Sequence, residues 1–415
     1  MLQLKKKMDW KTILAILIFI FLATAPAYMP MFRVSLLGKF MCYAIVAIGL
    51  DMIWGYTGIL SLGHGVYFGL GAYCMAMYLK LQAAGGDDFT MFGEVCTRVR
   101  SVWNRDIPAL SAPFFTWKET ESSPWGDTKT NEASTKKHYQ DHSNVSNEPT
   151  STNAFLNGND YHTPDRSQFS GMNVIDFPMH WAFRNAYDAF STALGGDQYY
   201  NDATWNVTYV DSHDYGPSIN GNDENRYAGG TDAWAENLDL MFTFRGIPCV
   251  YYGSEVEFQA GKKADYGSSA PLSTSGRAYF GDYLEGSVDV TDYGEYSNAT
   301  GTMAETLNYP LAKHIQRLNL IRRQIPALRK GQYSTEGVSG SGMAFKRRYT
   351  ANGEDSFVCV SISGSATFTG IPAGTYTEVI TGKTIQCNGT LTTDSVGKGN
   401  MSGLNSNAGK RLRTR

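Results

Sequence analysis

The sequence lacks the cysteine patterns that mark small metal-binding or disulfide-rich proteins. Its 415 residues include six cysteines, and none of them forms a Cys-x-x-Cys pair, so neither a zinc site nor a disulfide framework is predicted. Cys359 and Cys387 are near enough in sequence to pair, and we favour two buried thiols over a disulfide. No other group of residues is predicted to bind a metal.

A general excess of positive charge is also absent. The formal net charge is −3, with 36 Lys and Arg against 39 Asp and Glu. Because phosphate binding needs a basic surface, we expect no nucleic-acid partner.

Apolar runs of membrane-spanning length are absent from most of the chain and are confined to residues 1–80. Thr12–Phe32 is uncharged and long enough to cross a bilayer, and Met52–Leu79 carries no charge unless His64 is protonated. Lys5–Lys7 precede the first run and favour a cytoplasmic N-terminus, whereas Ala25–Ala27 would also suit a signal peptide. Since a second apolar run follows, we predict a membrane location for this segment.

The second apolar run contains closely spaced glycines. Small residues let helices pack closely or break in lipid. Glycines of this kind occur in Trp54–Gly58 and Ser61–Gly65. The stretch Leu37–Tyr73 resembles the N-terminal part of permease subunits of branched-chain amino acid and urea ABC transporters. The resemblance implies a transmembrane fragment over residues 1–92. No spanning run follows Leu79, so no complete translocation path is expected, and His64 is interpreted as an imidazole at a helix break.

The polar remainder of the chain alternates strand-like and helical segments. Asn173–Phe177, Trp205–Val210 and Ile247–Tyr252 have the composition of strands, and helical patterns at Trp181–Leu194 and Ala233–Phe244 separate them. This order is typical of parallel α/β architecture. Upstream, the pattern predicts a helix over Arg98–Leu110, a buried strand over Pro113–Trp117 and a long loop over residues 118–170.

Three ordered motifs carry a second resemblance. They are Val210-Asp211-Ser212-His213-Asp214 at a strand end, the segment Gly246–Glu255, and the amphipathic helix Leu311–Gly331, which ends in Pro-Ala-Leu-Arg-Lys-Gly. Together they resemble the α-amylase family, glycoside hydrolase family 13. The resemblance implies a partial (β/α)8 barrel over residues 93–331.

The last part of the chain reads as a β domain. Met343–Tyr349, Ser356–Ile362 and Thr375–Ile380 are short strand-like runs between Gly- and Ser-rich turns, which predicts an antiparallel β-sandwich over residues 332–415. Such a domain also resembles the C-terminal domain of amylases. The tail Gly399–Arg415 is predicted to have no strand.

The amylase resemblance implies roles for the residues at the end of the Val207–Val210 run. Asp214 would be an acid that stabilises the transition state, His213 a hydrogen-bond donor to the sugar, and Asp211 a further substrate-binding residue. An isolated Asp-x-His-Asp is more often a turn or a helix cap, so the following Gly246–Glu255 motif is what supports these roles.

The same resemblance implies an acid/base Glu just after the preceding strand. Glu119 follows Phe115-Thr116-Trp117-Lys118 and is the candidate, with Glu121 and Glu148 as rivals. A nucleophilic Asp should lie in a Gly-x-Arg-x-Asp segment further upstream, and Arg105-Asp106 is the nearby Arg/Asp pair, inside the predicted helix. We therefore predict that the nucleophile is missing. Calcium, which the family implies, would lose most of its ligands with the same part of the barrel.

Three hypotheses about function follow. The first is a truncated α-amylase-like hydrolase of α-1,4-glucans, with a retaining mechanism by descent and uncertain activity. The second is an ABC permease fragment with a foreign tail, and the third is an inactive glucan-binding relative. The two families meet without a linker near residues 90–97. A chimeric gene model, in which two coding sequences were joined, would also explain this arrangement.

Overall fold

A computed structural model divides the chain into two compact units, Met1–Phe89 and Thr90–Arg415. It describes residue 24 and residues 92–94, 99–102, 107–110, 116, 170, 172–197, 200, 202–217, 224–292, 295–351 and 354–407. Apart from Thr24 and Phe92, the predicted transmembrane segment lies outside the described residues, and so do Glu119, Glu121 and Glu148. Within the described part of the chain, no helix combines the length and the apolar character that crossing a membrane requires.

The strands are β1 (Phe92–Gly93), β2 (Val99–Val102), β3 (Ile107–Leu110), β4 (Asn173–Val174), β5 (Val207–Thr208), β6 (Ile247–Pro248), β7 (Asp289–Asp292), β8 (Glu295–Ser297), β9 (Gln332–Ser334), β10 (Val338–Gly340), β11 (Met343–Ala351), β12 (Glu354–Ile362), β13 (Ala366–Thr369), β14 (Gly374–Glu378), β15 (Thr384–Cys387), β16 (Thr390–Thr392) and β17 (Met401–Ser406). The α-helices are α1 (Phe177–Ala182), α2 (Ala186–Gly196), α3 (Thr231–Thr243), α4 (Gly301–Asn308), α5 (Pro310–Gln324) and α6 (Pro326–Lys330). Short 3-10 turns occur at Ala203–Trp205, Ser254–Val256, Gly267–Ser269, Leu272–Thr274 and Gly281–Leu284.

Four short strands lie side by side and run in parallel in the order β1, β4, β5, β6. Phe92 is paired with Asn173, Ile175 with Val207, and β5 with β6, each in parallel register. Helices α1 and α2 connect β4 to β5, and α3 lies between β5 and β6. Parallel strands with helical crossovers are the repeating unit of a (β/α) barrel. These four strands and their helices therefore confirm the predicted partial barrel.

The crossover helices begin at side chains that cap them. Asp176 Oδ1 accepts a hydrogen bond from Met179 N over 3.1 Å at the start of α1. Asn185 Oδ1 accepts one from Asp188 N over 2.8 Å at the start of α2. Each side chain satisfies a backbone N–H that has no partner within its helix, which fixes where the helix starts after the strand or turn.

The main apolar core joins the helices to the C-terminal sheet. Phe244, at the end of α3, is fully buried, and its ring lies 4.4 Å from Tyr333, 4.9 Å from Phe345 and 5.1 Å from Phe190, between ring centroids. Leu318 of α5 belongs to the same core. This packing fixes the helical layer against β9 and β11.

The C-terminal part is a β-sandwich, as predicted. One sheet has six strands in the order β15-β14-β17-β12-β11-β9, and the other has three in the order β10-β13-β16. All of their pairings are antiparallel. A buried cluster between them includes Phe357, Phe368 and Tyr376, and it encloses Cys359 and Cys387 as free thiols.

Three predictions about elements are wrong. Arg98–Leu110 is not a helix, because β2 and β3 form an antiparallel pair, and Pro108 within it cannot donate a helical hydrogen bond. Thr116, in the predicted strand Pro113–Trp117, is helical. The tail contains β17, which pairs with both β12 and β14 in the interior of the larger sheet.

The predicted helix Leu311–Gly331 forms as two helices. Pro326 cannot donate to a preceding carbonyl, so α5 ends before it and α6 begins with it. The apolar face is confirmed, since Leu311, Leu318 and Ile321 are buried.

Candidate active site

The carboxyl ends of the four parallel strands are where polar side chains collect. Glu94 directly follows β1, Asp176 follows the bridge residue Ile175 beside β4, and Asp211–Asp214 begins three residues after β5. Because parallel neighbours end at the same edge of a sheet, these side chains share one side of the structure.

Asp214 is the half-exposed carboxylate of this edge. Arg277 Nη2 donates to Asp214 Oδ1 over 2.6 Å, and His213 Nε2 lies 3.1 Å from Asp214 Oδ2. Arg277 Nε also donates to the His213 carbonyl over 2.7 Å, and its Nη1 lies 2.9 Å from Asp265 Oδ2. One guanidinium therefore binds both the Asp214 carboxylate and the backbone carbonyl beside it. The single ammonium group of a lysine could not make both contacts in this geometry.

A tight turn sets the direction of Asp214. Ser212 Oγ accepts hydrogen bonds from Asp214 N over 3.2 Å and from Tyr215 N over 2.9 Å, and it donates to the Tyr215 carbonyl over 2.9 Å. A serine hydroxyl that bonds the backbone two and three residues on makes such a turn compact. His213 and Asp214 are thereby presented outward, with side-chain exposures of 66% and 37%.

Asp211, predicted to bind substrate, is inside the protein and contacts neighbouring protein groups. It is 4% exposed, and its two carboxylate oxygens accept from Arg226 Nε over 2.9 Å and from Tyr227 N over 2.7 Å. Burial raises the pKa of Asp211, and the Arg226 guanidinium opposes this shift. Asp211 therefore fixes the backbone behind Asp214 and has no free oxygen for a sugar.

Arg226 connects this buried carboxylate to the end of β6. Its Nη2 donates to the Tyr252 carbonyl over 3.0 Å, and its guanidinium carbon lies 4.7 Å from the centre of the Tyr251 ring. Its Nη1 donates to the Gly276 carbonyl over 3.2 Å. A single buried cation thus binds both Asp211, after β5, and the segment that follows β6.

Glu94 is a candidate that the sequence reasoning missed. It is exposed and follows β1, whose residues Phe92 and Gly93 pair with Asn173 and Val174 of β4. The strand that precedes β4 in the sheet is therefore β1, and not the segment before Glu119, in which Thr116 is helical. The sequence signal was the Phe-Gly-Glu at residues 92–94, which falls in the stretch that was interpreted as the boundary between two families.

Asp176 also lies at this edge but is not available for chemistry. Its carboxylate is 2% exposed, pairs with the buried Arg245, and accepts from Asn206 Nδ2 over 3.4 Å while it caps α1. Its role is to anchor the end of β4.

The remaining features implied by the amylase resemblance are a nucleophilic Asp and a calcium site. Arg105-Asp106 lies outside them. In the described part of the chain, no group of three or more His, Cys, Asp or Glu side chains could hold a metal ion.

Comparison with known proteins gives two separate likenesses. The family model for the branched-chain amino acid transport system permease component matches residues 32–113. A cyclomaltodextrin glucanotransferase of Paenibacillus macerans is 25% identical over 229 residues, covering 51% of this chain and 26% of that protein. Over about half of its length, the chain resembles the α-amylase family.

A second curated relative gives the same result. A beta/alpha-amylase of Paenibacillus polymyxa is 24% identical over 199 residues, covering 46% of this chain and 14% of that protein. The chain thus spans 26% and 14% of the length of these two relatives. Among solved structures, the α-amylase of Geobacillus thermoleovorans complexed with acarbose matches 56% of this chain and 47% of its own, at 14% identity and a TM-score of 0.36.

The two likenesses meet close to β1. The permease match ends at residue 113, whereas the second compact unit begins at Thr90. Glu94 therefore lies in the second compact unit and also within the permease match.

Proposed function

We propose that residues 90–415 carry an α-1,4-glucan site of the α-amylase type, with Glu94 and Asp214 as its two acids. The observation that carries the proposal is the placement of two solvent-accessible carboxylates after β1 and β5, the strands on either side of β4. Glycoside hydrolysis is performed by carboxyl groups that face each other across the scissile bond.

The roles follow from position and contacts. Glu94 would protonate the leaving oxygen of the glycosidic bond, which is the role that the sequence reasoning gave to Glu119. Asp214, fixed by Arg277, would stabilise the positive charge that develops on the sugar ring. His213, 66% exposed at its side chain, would donate a hydrogen bond to a sugar hydroxyl.

We expect turnover by this site to be very slow, because the sequence predicts that the nucleophilic Asp is missing. Removing one member of a covalent catalytic set lowers the rate by roughly 10⁴- to 10⁶-fold. The function that fits best is therefore glucan binding at an amylase-type site with little hydrolysis.

The test combines binding and hydrolysis on the full chain. Retardation on a starch-containing native gel is expected, together with release of reducing sugar from soluble starch no faster than in a blank. Hydrolysis that Asp214→Asn abolishes would instead identify a working hydrolase and refute the missing nucleophile. No retardation by starch would refute the glucan site itself.

A pair of glutamate variants tests which acid belongs to the site. Glu94→Ala should weaken maltoheptaose binding by roughly tenfold, since a charge-assisted hydrogen bond contributes about 1.5–3 kcal/mol. Glu119→Ala is the matched control and should leave the dissociation constant unchanged, as measured by calorimetric titration. Weaker binding by Glu119→Ala, with unchanged binding by Glu94→Ala, would restore Glu119 as the candidate.

A second candidate function rests on the permease match at residues 32–113. On this alternative, the N-terminal segment resides in the membrane and associates with an ABC ATPase subunit. Co-purification of such a subunit with the full chain from detergent-solubilised membranes would support it. Recovery of the chain free of membranes would contradict it.

A further inference from the structure

Residues 276–280 form a segment that is fixed beside Asp214 by three contacts. Arg226 Nη1 donates to the Gly276 carbonyl over 3.2 Å, and Arg277 binds the Asp214 carboxylate over 2.6 Å. The Tyr252 hydroxyl donates to the Ala278 carbonyl over 3.0 Å. The backbone of the segment is therefore held against the end of β6 and against the candidate site.

The side chains of this segment alternate between the interior and the solvent. Ala278 and Phe280 are 5% and 8% exposed and pack with Val256 and Phe258 in a small apolar cluster. Tyr279, between them, is 77% exposed. Apolar packing on one side thus directs the Tyr279 ring outward on the other.

The Tyr279 ring lies close to the backbone of Gly281. A Cβ atom added at Gly281 would lie 2.0 Å from Tyr279 Oη and 2.1 Å from Cζ. The phenol end of the ring therefore lies directly over the Gly281 backbone. The opposite side of the ring remains open to solvent, where a ligand can cover it.

An exposed aromatic ring close in sequence to a residue that binds a carboxylate has the chemistry of a sugar-binding surface. Pyranose rings have apolar C–H faces that pack on aromatic rings, while their hydroxyls need polar partners at the edge. Tyr279 supplies the apolar surface. Asp214, which Arg277 binds two residues before Tyr279, and His213 supply the polar partners.

We propose that Tyr279 stacks on a glucose unit of an α-glucan that extends beyond Asp214, and so selects longer glucans over short ones. This inference rests on the glucan site proposed above and adds a second contact point to it. A disaccharide bound at Asp214 would leave the Tyr279 ring uncovered, whereas a longer chain would reach it.

The test compares two ligands and three variants of the full chain by calorimetric titration. Tyr279→Ala should weaken maltoheptaose binding by roughly three- to tenfold, as expected for the loss of an aromatic contact, and should leave maltose binding unchanged. Tyr279→Phe keeps the ring and should bind maltoheptaose like the unaltered chain. Tyr187→Ala removes another exposed tyrosine, 65% exposed on α2, and is the matched control.

The outcomes separate this inference from the proposal on which it depends. Equal maltoheptaose affinity in Tyr279→Ala and Tyr187→Ala, with the unaltered chain binding, would overturn the role of Tyr279 alone. Equal loss for maltose and maltoheptaose would also overturn it, because the effect would not depend on length. Absence of glucan binding by the unaltered chain would overturn both proposals.

Discussion

Arg245 is the buried residue that links the end of β4 to the C-terminal sheet. Its guanidinium pairs with Asp176 and binds Asp197 through two hydrogen bonds of 2.8 and 2.5 Å, and Asp197 also accepts from Tyr333 Oη over 2.7 Å. Burial lowers the pKa of Arg245, but the two carboxylates outweigh burial and raise it well above its ordinary value. The charge is therefore retained inside the protein.

Replacement of Arg245 tests this network. Arg245→Met leaves two carboxylates buried without a cation, so the free energy of unfolding should fall by about 3–5 kcal/mol in urea titrations. Arg184→Met is the matched control, because its ion pair with Asp188 is 59% exposed on the arginine side and should contribute less than about 1 kcal/mol. Equal losses in the two variants would contradict the stabilising role of the buried network.

Residue type alone does not show which of the two acids after β5 is buried and which is exposed. Asp211 and Asp214 lie three residues apart, and both were interpreted as substrate-binding or catalytic. Their environments differ because Arg226, fifteen residues along the chain from Asp211, folds back onto it, while Arg277 reaches Asp214 from the solvent side. Such long-range partners are not encoded in the local pattern that identified the strand end.

At the scale of elements, α3 and α5 meet at a pair of polar side chains within an apolar interface. His314 Nε2 lies 2.8 Å from Asp239 Oδ1, and the Asp239 side chain is fully buried. Burial raises the pKa of Asp239 to about 6, although His314 opposes the shift. The folded chain therefore binds a proton at Asp239 more readily than the unfolded chain does.

This shift predicts a pH dependence of stability. A carboxyl group whose folded pKa is raised contributes stability that is complete below its unfolded pKa of 3.8 and is lost as pH rises through its folded pKa of about 6. Relative to Asp239→Asn, the unaltered chain should lose up to about 3 kcal/mol of unfolding free energy between pH 4 and pH 7. Asp282→Asn, at an exposed site, controls for the change in net charge. A difference that does not vary with pH would contradict the raised pKa.

Long periodic elements were predictable, and very short ones were not. Helix α3 and strands β11, β12 and β14 have enough residues for their apolar pattern to be read. β1 has two residues and is a strand because β4 lies beside it, which no local pattern reveals. β17 was missed because Ser402, Gly403 and Asn405 give little strand signal, although they are buried between β12 and β14.

At the scale of the whole molecule, two family likenesses share one chain. The amylase-like unit begins at Thr90, whereas the permease match runs to residue 113, so β1 and Glu94 fall within both. The sequence correctly predicted which families are involved, because their motifs are local. It placed the seam at residues 90–97 and the barrel from residue 93, and within that stretch Glu94 was not considered as a site residue.

The measurement that tests the central claim most directly is the dissociation constant of maltoheptaose for the full chain, by calorimetry. The unaltered chain should bind saturably, and Asp214→Ala should bind roughly tenfold or more weakly, because it removes the carboxylate that Arg277 holds at the sheet edge. Asp355→Ala is the matched control, since Arg348 binds that carboxylate through two hydrogen bonds on the C-terminal sheet. It should bind maltoheptaose like the unaltered chain. No saturable binding, or equal affinity in the two variants, would contradict a glucan site at Asp214.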